Sequence, residues 1–569
     1  MSELSQNALE ICKKRYFIND DETWEDLSKR VAVAVSINEK DKKWTDIFTE
    51  EINEMNFIPG GRILRNCGKL KQSILNCACI PIGDSIEAIG DTIKNSLILW
   101  SYGAGIGIDF SPLRPIGTPL LSKGGYSSGM VSFIKAIDAV AHTIETGGQR
   151  RSGCLALCRI SHPEIFEFID AKIKDKELSY FNLSVGVDKN FIYAVEEDKD
   201  WDLTFTGKTY KTVKARDLWD KILESMIDTA EPGIINLDNL KKNNSYYFQP
   251  ISSTNLCGEI PLPSFGTCCL GSLVLPNFLS GKQTNWKKLK NSINIAVRFL
   301  DNVLDVNYYP IKQMETITLE GRRIGLGVMG LHNFFIKKEI KYGSEKSIVE
   351  VERLFKFIRD TAYIASVELS KEKGAFPKYS RSDFNRASFV KKLPAKIRLA
   401  IKSNGIRNVC LTSAQPTGTS SLIPEVSSGI EPIFALAYKR KDRVSERYYI
   451  QEDLLDILKN NEEIPEWLTD SSNLRPEHHL EIQAVVQKYL DNAVSKTVNC
   501  PKGITKNELS ELLLEFIKDL KGMTVYVDGT REGQVMERIP IEEAKKYVKE
   551  STKDMSEDDV QCNRGTCEI

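Results

Sequence analysis

Apolar residues along this chain follow two different spacings, and these alternate over most of its length. Four of them recur at helical spacing, namely Ile86, Ile89, Ile93 and Leu97. This spacing predicts an amphipathic helix, whereas the preceding run ILNCACIPI is short, apolar and bounded by a turn signal, which predicts a buried strand. Asp84, with Glu87 three residues later, is the predicted N-terminal cap of the helix.

Strand-like and helix-like segments continue to alternate towards the C-terminus. The strand-like segments are GIGIDFSPL, NLSVGV, GIINL, RNVCLTSA and MTVYVDG. The helix-like segments are SFIKAIDAVAHTIE, NSINIAVRFLDNVLDV, SIVEVERLFKFIRDTAYIASVELSKEKG, HHLEIQAVVQKYLDNAV and KNELSELLLEFIKDLKG. Alternation of this kind predicts an α/β fold with mainly parallel strands.

The same pattern divides the chain into three predicted parts. Residues 1–70 are mainly helical, with helical spacing in DETWEDLSKRVAVAVS and a turn at FIPGGRIL. Residues 71–540 hold the alternating strands and helices. Residues 541–569 are polar and carry no core pattern, so we expect a flexible tail there.

Composition is that of an ordinary globular protein. Hydrophobic residues make up 41% of the 569 residues and charged residues 27%, which allows a large core. The formal net charge of −1 gives no general attraction to nucleic acid or membranes. No apolar run approaches about 18 residues, and the polar N-terminus lacks the apolar core of a signal peptide. We therefore expect neither nucleic acid nor membrane as a partner, and a reducing cytoplasm as the location.

In that compartment the thirteen cysteines are expected to be reduced, metal-bound or catalytic rather than a disulfide framework. Six are interpreted as small buried apolar residues: Cys12, Cys67, Cys154, Cys158, Cys410 and Cys500. The stretch SSTNLCGEIPLPSFGTCCLGSL differs, because Cys257 lies two residues after Asn255 and two before Glu259. Cys268 and Cys269 follow in the same stretch, and the chain ends VQCNRGTCEI with two more cysteines.

Three kinds of chemistry could use these cysteines. A hydrolase nucleophile needs a histidine base, and none of the five histidines lies in a motif of that kind. A zinc site needs four ligands at C-x-x-C spacing, which the paired cysteines lack, so no metal is predicted. In redox chemistry one thiol starts the reaction, a pair supplies two electrons, and a tail pair reduces that pair again. From the residues alone, unpaired structural cysteines remain the alternative.

Two loops have a composition that suits phosphate groups. QPTGTSSLIPEVSSGIEP follows a predicted strand, and its hydroxyls and backbone N–H groups form either a neutral phosphate cradle or an ordinary Ser/Gly loop. The cradle residues are Thr417, Gly418, Thr419, Ser420 and Ser421. TGGQRRSG is either an anion-sensing loop, because guanidinium groups suit phosphate, or a solvated loop.

Several long stretches resemble ribonucleotide reductases. They are STNLCGEIPLPSFGTCCLGSL, RRIGLGVMGLHNFF, EPGIINLDNLKKNN, QPTGTSSLIPEVSSGIEPIFALAYKR, NAVSKTVNCP, LNCACIPIGDS and HPEIFEFIDAK. They occur in the family's order, from about residue 5 to the C-terminus. The resemblance implies a ten-stranded α/β barrel whose central finger loop carries Cys257. It leaves no room for an N-terminal nucleotide-binding cone, so we expect no overall activity control through one.

The resemblance also implies a role for three residues of the finger loop. Cys257 matches the cysteine that becomes a thiyl radical and abstracts the 3′-hydrogen of the substrate. Glu259 matches the base that takes the 3′-hydroxyl proton, which eases loss of the 2′-hydroxyl as water. Asn255 matches the amide that hydrogen-bonds the sugar hydroxyls.

Two thiol pairs follow from the same resemblance. Cys77 and Cys268 match the pair that is oxidised to a disulfide as the deoxysugar forms. Cys562 and Cys567 match the tail pair that reduces this disulfide. Their neighbours Cys79 and Cys269 remain alternatives, because a shift of one aligned position would exchange the members of each set.

Nucleotide-binding residues are implied in the same way, and the cradle loop then matches the substrate phosphate loop. Asn76 is a further expected substrate contact. The expected residues for a dNTP effector are Asp84, Ser85, Arg114, Gln149, Arg150 and Arg151. In the family this effector site often lies at a dimer interface, so a homodimer is an expectation.

The radical source is indicated by the segment KGMTVYVDGTREGQ. Class I enzymes relay a radical from a separate metal-containing subunit through two adjacent tyrosines, but Tyr526 lies between Val525 and Val527. TVYVDGTR instead resembles the class II enzymes, which implies adenosylcobalamin as the cofactor and a thioredoxin-like protein as the reductant. A class I large subunit is the alternative, and a non-enzymatic nucleotide-binding protein is the third hypothesis.

Overall fold

The computed structural model describes most of the chain. The described residues are 4–121, 124–146, 150–151, 153–175, 178–441, 446–530, 536–554, 562–563 and 566–568. Within them, no helix is both long and apolar enough to cross a membrane.

The N-terminal region is a layer of helices, as predicted. These helices are Gln6–Arg15, Trp24–Val35, Lys43–Asn53 and Gly61–Asn66. Trp24–Val35 begins at a capping box in which Thr23 and Asp26 satisfy each other's backbone N–H groups. The segment FIPGGRIL is more than the predicted turn, because its apolar start forms the strand Phe57–Pro59 and its end forms the last helix of the layer.

Seven strands form the largest sheet. In spatial order they are Thr497–Cys500, Gly522–Val527, Gly233–Asn236, Phe181–Val187, Cys154–Arg159, Gly105–Asp109 and Cys77–Cys79. The last five run parallel to one another, and the first two run parallel to each other. Gly233–Asn236 pairs antiparallel with Gly522–Val527, which forms the first junction between two oppositely directed halves.

Three further segments close this sheet into a barrel. Leu270–Val274 pairs parallel with Gly325–Met329, and single bridges then join Leu326 to Thr412 and Ala414 to Val494. An antiparallel bridge between Ala78 and Thr267 forms the second junction. The seven sheet strands, these two strands and segment 411–415 make ten, so the predicted ten-stranded α/β barrel is confirmed. The predicted strand RNVCLTSA is present only as this bridged segment.

Helices surround the barrel. They are Ile86–Ser101, Met130–Ala141, Ile165–Asp175, Lys189–Glu196, Ala215–Thr229, Leu237–Lys242, Trp286–Val306, Lys312–Gly321, Leu331–Lys337, Glu345–Lys373, Arg381–Arg386, Ser388–Lys391, Ala395–Asn404, Glu452–Lys459, Pro476–Tyr489 and Lys506–Phe516. Short 3-10 turns occupy Leu275–Phe278, Ser420–Leu422 and Ser471–Asn473. Two large apolar clusters, one around each half of the barrel, pack these helices onto the strands.

Short antiparallel strands lie on the outside of the barrel and in the N-terminal layer. They are Phe57–Pro59, Glu145–Thr146, Arg150–Arg151, Asp200–Phe205, Lys208–Lys214, Leu279–Ser280, Gln283–Thr284, Ala437–Lys441, Glu446–Ile450, Met536–Arg538, Cys562–Asn563 and Thr566–Glu568. In the C-terminal part, Ile541–Asp554 is a helix whose Ala544 and Val548 pack in a small cluster with Leu454 and Leu458. Residues 541–554 of the expected tail therefore form a helix.

A hairpin runs through the middle of the barrel. Ser253–Thr254 pairs antiparallel with Pro261–Leu262, and the residues between them form its tip. Glycine on a barrel strand is required for this passage, because a Cβ on Gly107 would fall on the carbonyl oxygen of Thr254. Gly105 leaves room for Leu256 in the same way. The hairpin is the finger loop that the sequence predicted.

Candidate active site

The tip of the hairpin is organised by Asn255 and Glu259, which are both buried. The Asn255 side-chain amide donates to Glu259 Oε1 at 2.7 Å, while its own Oδ1 accepts from the backbone N–H of Ile260 at 3.0 Å. Gly258 N–H donates to the Asn255 carbonyl at 3.1 Å and has a φ of 82°, which favours glycine. This tight turn leaves Cys257 exposed at the tip.

Glu259 is held in an unusual electrostatic state. Burial raises the pKa of its carboxyl to about 8, with a further contribution from nearby Cys77, and the hydrogen bond from Asn255 opposes the rise. Glu259 Oε2 is buried and has no hydrogen-bond partner among the described residues. A carboxyl with a pKa near the working pH and a vacant acceptor is suited to take a proton from a bound ligand.

Two buried thiols face each other beside this carboxyl. Cys77 and Cys268 lie on adjacent antiparallel segments, and Cys268 N–H donates to the Cys77 carbonyl at 3.0 Å. Burial raises the pKa of Cys268 well above its usual value, followed by its side-chain hydrogen bond with Cys77 and the charges of Glu259 and Cys257. The structure therefore brings together five predicted residues: Asn255, Cys257, Glu259, Cys77 and Cys268.

The neighbouring cysteines differ in direction. Cys269 points to the opposite face of its strand, into the large apolar cluster, where its Sγ donates to the Leu300 carbonyl at 3.4 Å. Cys79 lies on the same face as Cys77 but is fully buried against Ser252, with its Sγ 3.5 Å from the serine Oγ. The geometry thus favours Cys77 and Cys268 as the pair next to Glu259.

Cys257 opens onto a cavity of about 230 Å³. Its far wall is a row of small residues, in which Thr497 is the register partner of Thr524, and Ser184 is the partner of Gly233. A Cβ on Gly233 would lie 3.2 Å from Ser184 Oγ and 3.7 Å from Thr524 Oγ1, so the two pairs are adjacent. These four small residues lie side by side on four adjacent strands, and their small side chains leave room for the cavity that Cys257 also lines.

A larger cavity of about 670 Å³ adjoins the first one. Ala230, Thr497 and Thr524 line both cavities and form the boundary between them. The larger cavity has a mainly apolar wall that includes Leu422, Val426, Ile433, Phe434 and Val525, with Tyr438 and Tyr526 beside them. Two adjacent spaces, one mainly apolar and one lined by a thiol, suit two ligands that react with each other through Cys257.

The predicted phosphate loop borders the larger cavity. Thr417 and Ser421 are buried, whereas Gly418 and Thr419 are exposed and Ser420 is half-buried. Thr417 is tied to the following segment, because its N–H donates to Ser428 Oγ at 2.9 Å. Gly418 and Ser421 face the cavity, and a Cβ on Gly418 would meet nothing within 4 Å. The loop thus presents small, open groups to a ligand.

Asn76 lies beside the thiol pair. Its N–H donates to the Cys268 carbonyl at 3.3 Å, and its side-chain oxygen accepts from Arg62 N–H at 3.3 Å. Asn76 therefore lies next to the thiol pair, and its contact with substrate stays a prediction.

The expected effector residues are only partly described. Arg114 Nε donates to Asp84 Oδ2 at 2.8 Å, and the Arg114 N–H donates to Asp84 Oδ1 at 3.1 Å. Ser85, not Asp84, caps the following helix, because its Oγ accepts from Ala88 N–H; the predicted Asp84 cap is wrong, and Arg114 engages that carboxylate instead. Gln149 lies outside the described residues, and only the backbone strand is described for Arg150 and Arg151.

The tail cysteines are described by their backbone alone. Cys562 and Cys567 are register partners in an antiparallel pair of short strands, and Cys567 also pairs with Ile450. The structure therefore places the two residues opposite each other and does not place them at the Cys77–Cys268 pair.

Sequence reasoning missed the wall that faces Cys257. Ser184, Gly233, Thr497 and Thr524 come from four strands that are distant along the chain, so no local spacing reveals them. Ser184, Gly233 and Thr524 lie in predicted strands, and a small residue at the same level of each is the signal that could have found them, whereas the strand of Thr497 was not predicted.

The barrel, its threaded hairpin and the thiols around Glu259 define a ribonucleotide reductase. The family model described as "Ribonucleotide reductase, barrel domain" matches residues 75–526, and "Ribonucleotide reductase, all-alpha domain" matches residues 2–72. The chain belongs to the ribonucleotide reductase family.

Individual relatives carry more specific names. The "Vitamin B12-dependent ribonucleoside-diphosphate reductase" of Thermoplasma acidophilum is 36% identical over 534 residues, which cover 88% of this chain and 67% of that protein. The protein of the same name from Mycobacterium tuberculosis is 34% identical over 573 residues, covering 94% and 80%. The "Ribonucleoside-diphosphate reductase subunit alpha" of Chlamydia muridarum is 25% identical over 568 residues, covering 84% and 54%.

Proposed function

We propose that this chain reduces ribonucleoside diphosphates to 2′-deoxyribonucleotides and uses adenosylcobalamin as its radical source. The observation that carries the proposal is the exposed Cys257, which lines one of the two adjacent cavities and follows Asn255 and precedes the buried Glu259 on the same hairpin tip. The names of the B12-dependent relatives support the cofactor and the diphosphate substrate. The single Tyr526 between two valines speaks against the tyrosine relay of a class I subunit.

The residues of the larger cavity fit such a cofactor. A corrin ring presents broad apolar faces with amide groups at its edge, and the wall of Leu422, Val426, Ile433 and Phe434 offers an apolar surface for a face. Tyr438 and Tyr526 would meet its polar edge. When bound, adenosylcobalamin supplies the radical that removes the hydrogen atom from the Cys257 thiol.

The finger loop then acts on the sugar. A thiyl radical on Cys257 takes the 3′-hydrogen atom of the ribose, and Glu259 takes the proton of the 3′-hydroxyl through its vacant Oε2. Asn255 orients the carboxyl and hydrogen-bonds the sugar hydroxyls. The 2′-hydroxyl then leaves as water, because removal of the 3′-hydroxyl proton makes that departure easier.

Cys77 and Cys268 supply the electrons. Loss of the 2′-hydroxyl as water consumes two electrons and two protons, which the two thiols provide as they form one disulfide. The 3′-hydrogen atom returns from Cys257 to the sugar, so the radical is regenerated. The net reaction is one ribonucleotide and two thiols giving one deoxyribonucleotide, one disulfide and one water.

The remaining parts are proposed around this centre. Residues 541–569 act as a redox tail in which Cys562 and Cys567 reduce the Cys77–Cys268 disulfide by thiol–disulfide exchange, and a thioredoxin-like protein reduces the tail. A dNTP effector binds near Asp84 and Arg114, at the interface of a homodimer. Residues 1–70 form the helical layer and residues 71–540 the catalytic barrel.

The test is deoxynucleotide formation by the purified chain with a dithiol, an effector and a ribonucleoside diphosphate. Turnover with adenosylcobalamin and none without it supports the proposal. Turnover only after a metal-containing radical subunit is added would establish the class I alternative. Cys257→Ala is expected to abolish turnover under either condition, and unchanged turnover would contradict both enzyme mechanisms.

A further inference from the structure

An ion pair between a buried lysine and a half-buried glutamate lies at the boundary of the two cavities, and the mechanism above does not use it. Lys496 Nζ donates to Glu431 Oε2 at 2.5 Å, and the side chain of this lysine is fully buried. Glu431 borders the larger cavity, whereas Lys496 borders the cavity of Cys257. The pair therefore bridges the two spaces.

Glu431 holds a second atom of the same boundary. Its Oε1 accepts from the backbone N–H of Thr497 at 2.7 Å. Thr497 lines both cavities and is the register partner of Thr524, which does the same. One carboxylate thus fixes both the ammonium of Lys496 and the strand position that separates the spaces.

The surroundings leave Glu431 as the counter-charge of Lys496 among the described residues. His479 Nδ1 lies 3.1 Å from Lys496 Nζ, and the Tyr342 ring centroid lies 5.8 Å away. Burial, together with the charge of Lys496, lowers the pKa of His479 to about 2 and that of His332 to about 3. Both rings are therefore neutral at physiological pH, so they add no positive charge beside Lys496, and they carry no negative charge that could balance its ammonium.

Both histidines are also committed in their hydrogen bonding. His479 Nδ1 faces the Lys496 ammonium, and His332 Nδ1 accepts from Ile433 N–H at 2.8 Å. The other ring nitrogen of each histidine is buried without a partner among the described residues. None of the groups that the structure describes beside Lys496 can thus replace Glu431 as its counter-charge, and an unpaired buried ammonium is strongly unfavourable.

We propose that Lys496 is a positioning residue: its ion pair with Glu431 holds Thr497 in the wall between the two cavities, and so keeps a ligand in the larger cavity at the distance from Cys257 that hydrogen transfer needs. The proposal rests on the proposed function, because the ligand of the larger cavity is the radical source. Hydrogen-atom transfer depends steeply on distance, so a small shift of this wall affects the reaction more than it affects binding.

The test uses the full chain and the variant Glu431→Gln, with the double variant Glu431→Gln/Lys496→Met as its matched control. Glu431→Gln removes the counter-charge of Lys496. At low pH the lysine then remains a buried ammonium without a counter-charge, whereas at high pH it loses its proton and is tolerated as a buried neutral amine. The ratio of variant to wild-type kcat is therefore expected to rise with pH, from a loss on the order of 10²-fold at the acidic end. The double variant has no lysine to titrate, so its ratio is expected to be independent of pH.

Binding and folding are measured in parallel. The Kd for adenosylcobalamin, followed by visible absorbance, and the KM for substrate are expected to stay within about threefold of wild type. A pH-independent ratio in Glu431→Gln, an equal slope in the double variant, or an acidic loss that coincides with thermal unfolding would each overturn the proposal. If the wild type requires a radical subunit instead of cobalamin, the proposed function fails, and the same kcat ratio measured with that subunit still tests the positioning role.

Discussion

The Asn255 side chain holds one oxygen of Glu259 at 2.7 Å while the other oxygen stays without a described partner. This hydrogen bond keeps the Glu259 carboxyl in one orientation, and so fixes the position of the oxygen that is left to accept a proton. We expect Asn255→Ala to lower kcat by roughly tenfold to a hundredfold, because a buried hydrogen bond to the reacting carboxyl is lost. Steady-state kinetics with saturating cofactor measure the effect.

The control for this variant is Asn255→Asp, which keeps the size of the side chain. It places a second carboxyl beside Glu259, and like charges raise a carboxyl pKa further. We expect a kcat below that of Asn255→Ala at neutral pH, and an Asp variant as active as wild type would show that the amide does not set the state of Glu259.

Glu259 predicts a pH dependence with a definite sign. Its pKa of about 8 means that the base form appears as pH rises, so kcat/KM is expected to increase through pH 8. Glu259→Gln is expected to lower kcat by about 10²–10⁴-fold, and the kcat/KM of its remaining activity should not increase through pH 8. A wild-type profile that is flat between pH 6.5 and 9, to about a factor of two, would contradict the assignment.

The same pKa has a consequence for stability. Because the folded state raises the pKa of Glu259 above its unfolded value, its protonated form stabilises the fold at low pH. This contribution is fully present below the ordinary pKa of 4.5 and is lost progressively as pH rises to about 8, at about 1.4 kcal/mol per pH unit. The melting temperature of Glu259→Gln should therefore fall less steeply between about pH 5 and pH 8 than that of wild type.

The thiols predict a clear difference between single and multiple turnovers. Cys77→Ser and Cys268→Ser are expected to form no deoxynucleotide even from fully reduced enzyme, because the electrons come from this pair. Cys562→Ser and Cys567→Ser are expected to complete one turnover and then stop with a thioredoxin-like reductant. Rapid-quench product measurement separates these outcomes, and a small dithiol should restore turnover to the tail variants.

Cys79 and Cys269 provide the matched controls for the thiol pair. Cys79 lies against Ser252, and Cys269 points into the large apolar cluster. Cys79→Ala and Cys269→Ala should therefore retain single-turnover product formation. A complete loss in either variant, with an unchanged melting temperature, would show that the pair next to Glu259 has been assigned incorrectly.

The passage of the hairpin predicts a strong effect at one glycine. Gly107→Ala is expected to destabilise the protein by roughly 3 kcal/mol or more, because the new Cβ would fall on the Thr254 carbonyl. Gly90 lies in the helix Ile86–Ser101 and has no neighbour within 4 Å of an added Cβ, so Gly90→Ala should stabilise by about 0.5–1 kcal/mol. Chemical denaturation of both variants makes the comparison, and equal effects would contradict this account of the passage.

Local motifs were predictable from the sequence, and contacts between distant segments were not. Asn255, Cys257 and Glu259 lie within five consecutive positions, so their spacing already fixes their proximity on one turn. The choice between Cys268 and Cys269 depends on which of the two side chains points towards Glu259. The local sequence around the two cysteines does not contain that information. The Thr497–Thr524 pair of the cavity wall exists only because two strands lie side by side.

Two of the local differences between expectation and structure have clear physical reasons. The RNVCLTSA strand is reduced to bridges because Asp491 Oδ2 and Oδ1 accept the N–H groups of Leu411 and Thr412, at 2.8 and 2.9 Å. A buried side chain there replaces part of a strand ladder. Asp84 was expected as a cap because aspartate suits that position, but its ion pair with Arg114 across 30 residues decides its orientation.

Cys77 and Cys268 lie where the two five-stranded halves of the barrel meet antiparallel. Under the proposed chemistry, the halves are linked covalently in the oxidised state and only by noncovalent contacts in the reduced state. The mechanical resistance of the barrel would therefore change twice in every cycle. The force required to pull the two halves of the barrel apart would show whether a single molecule is in the oxidised or the reduced stage of the cycle.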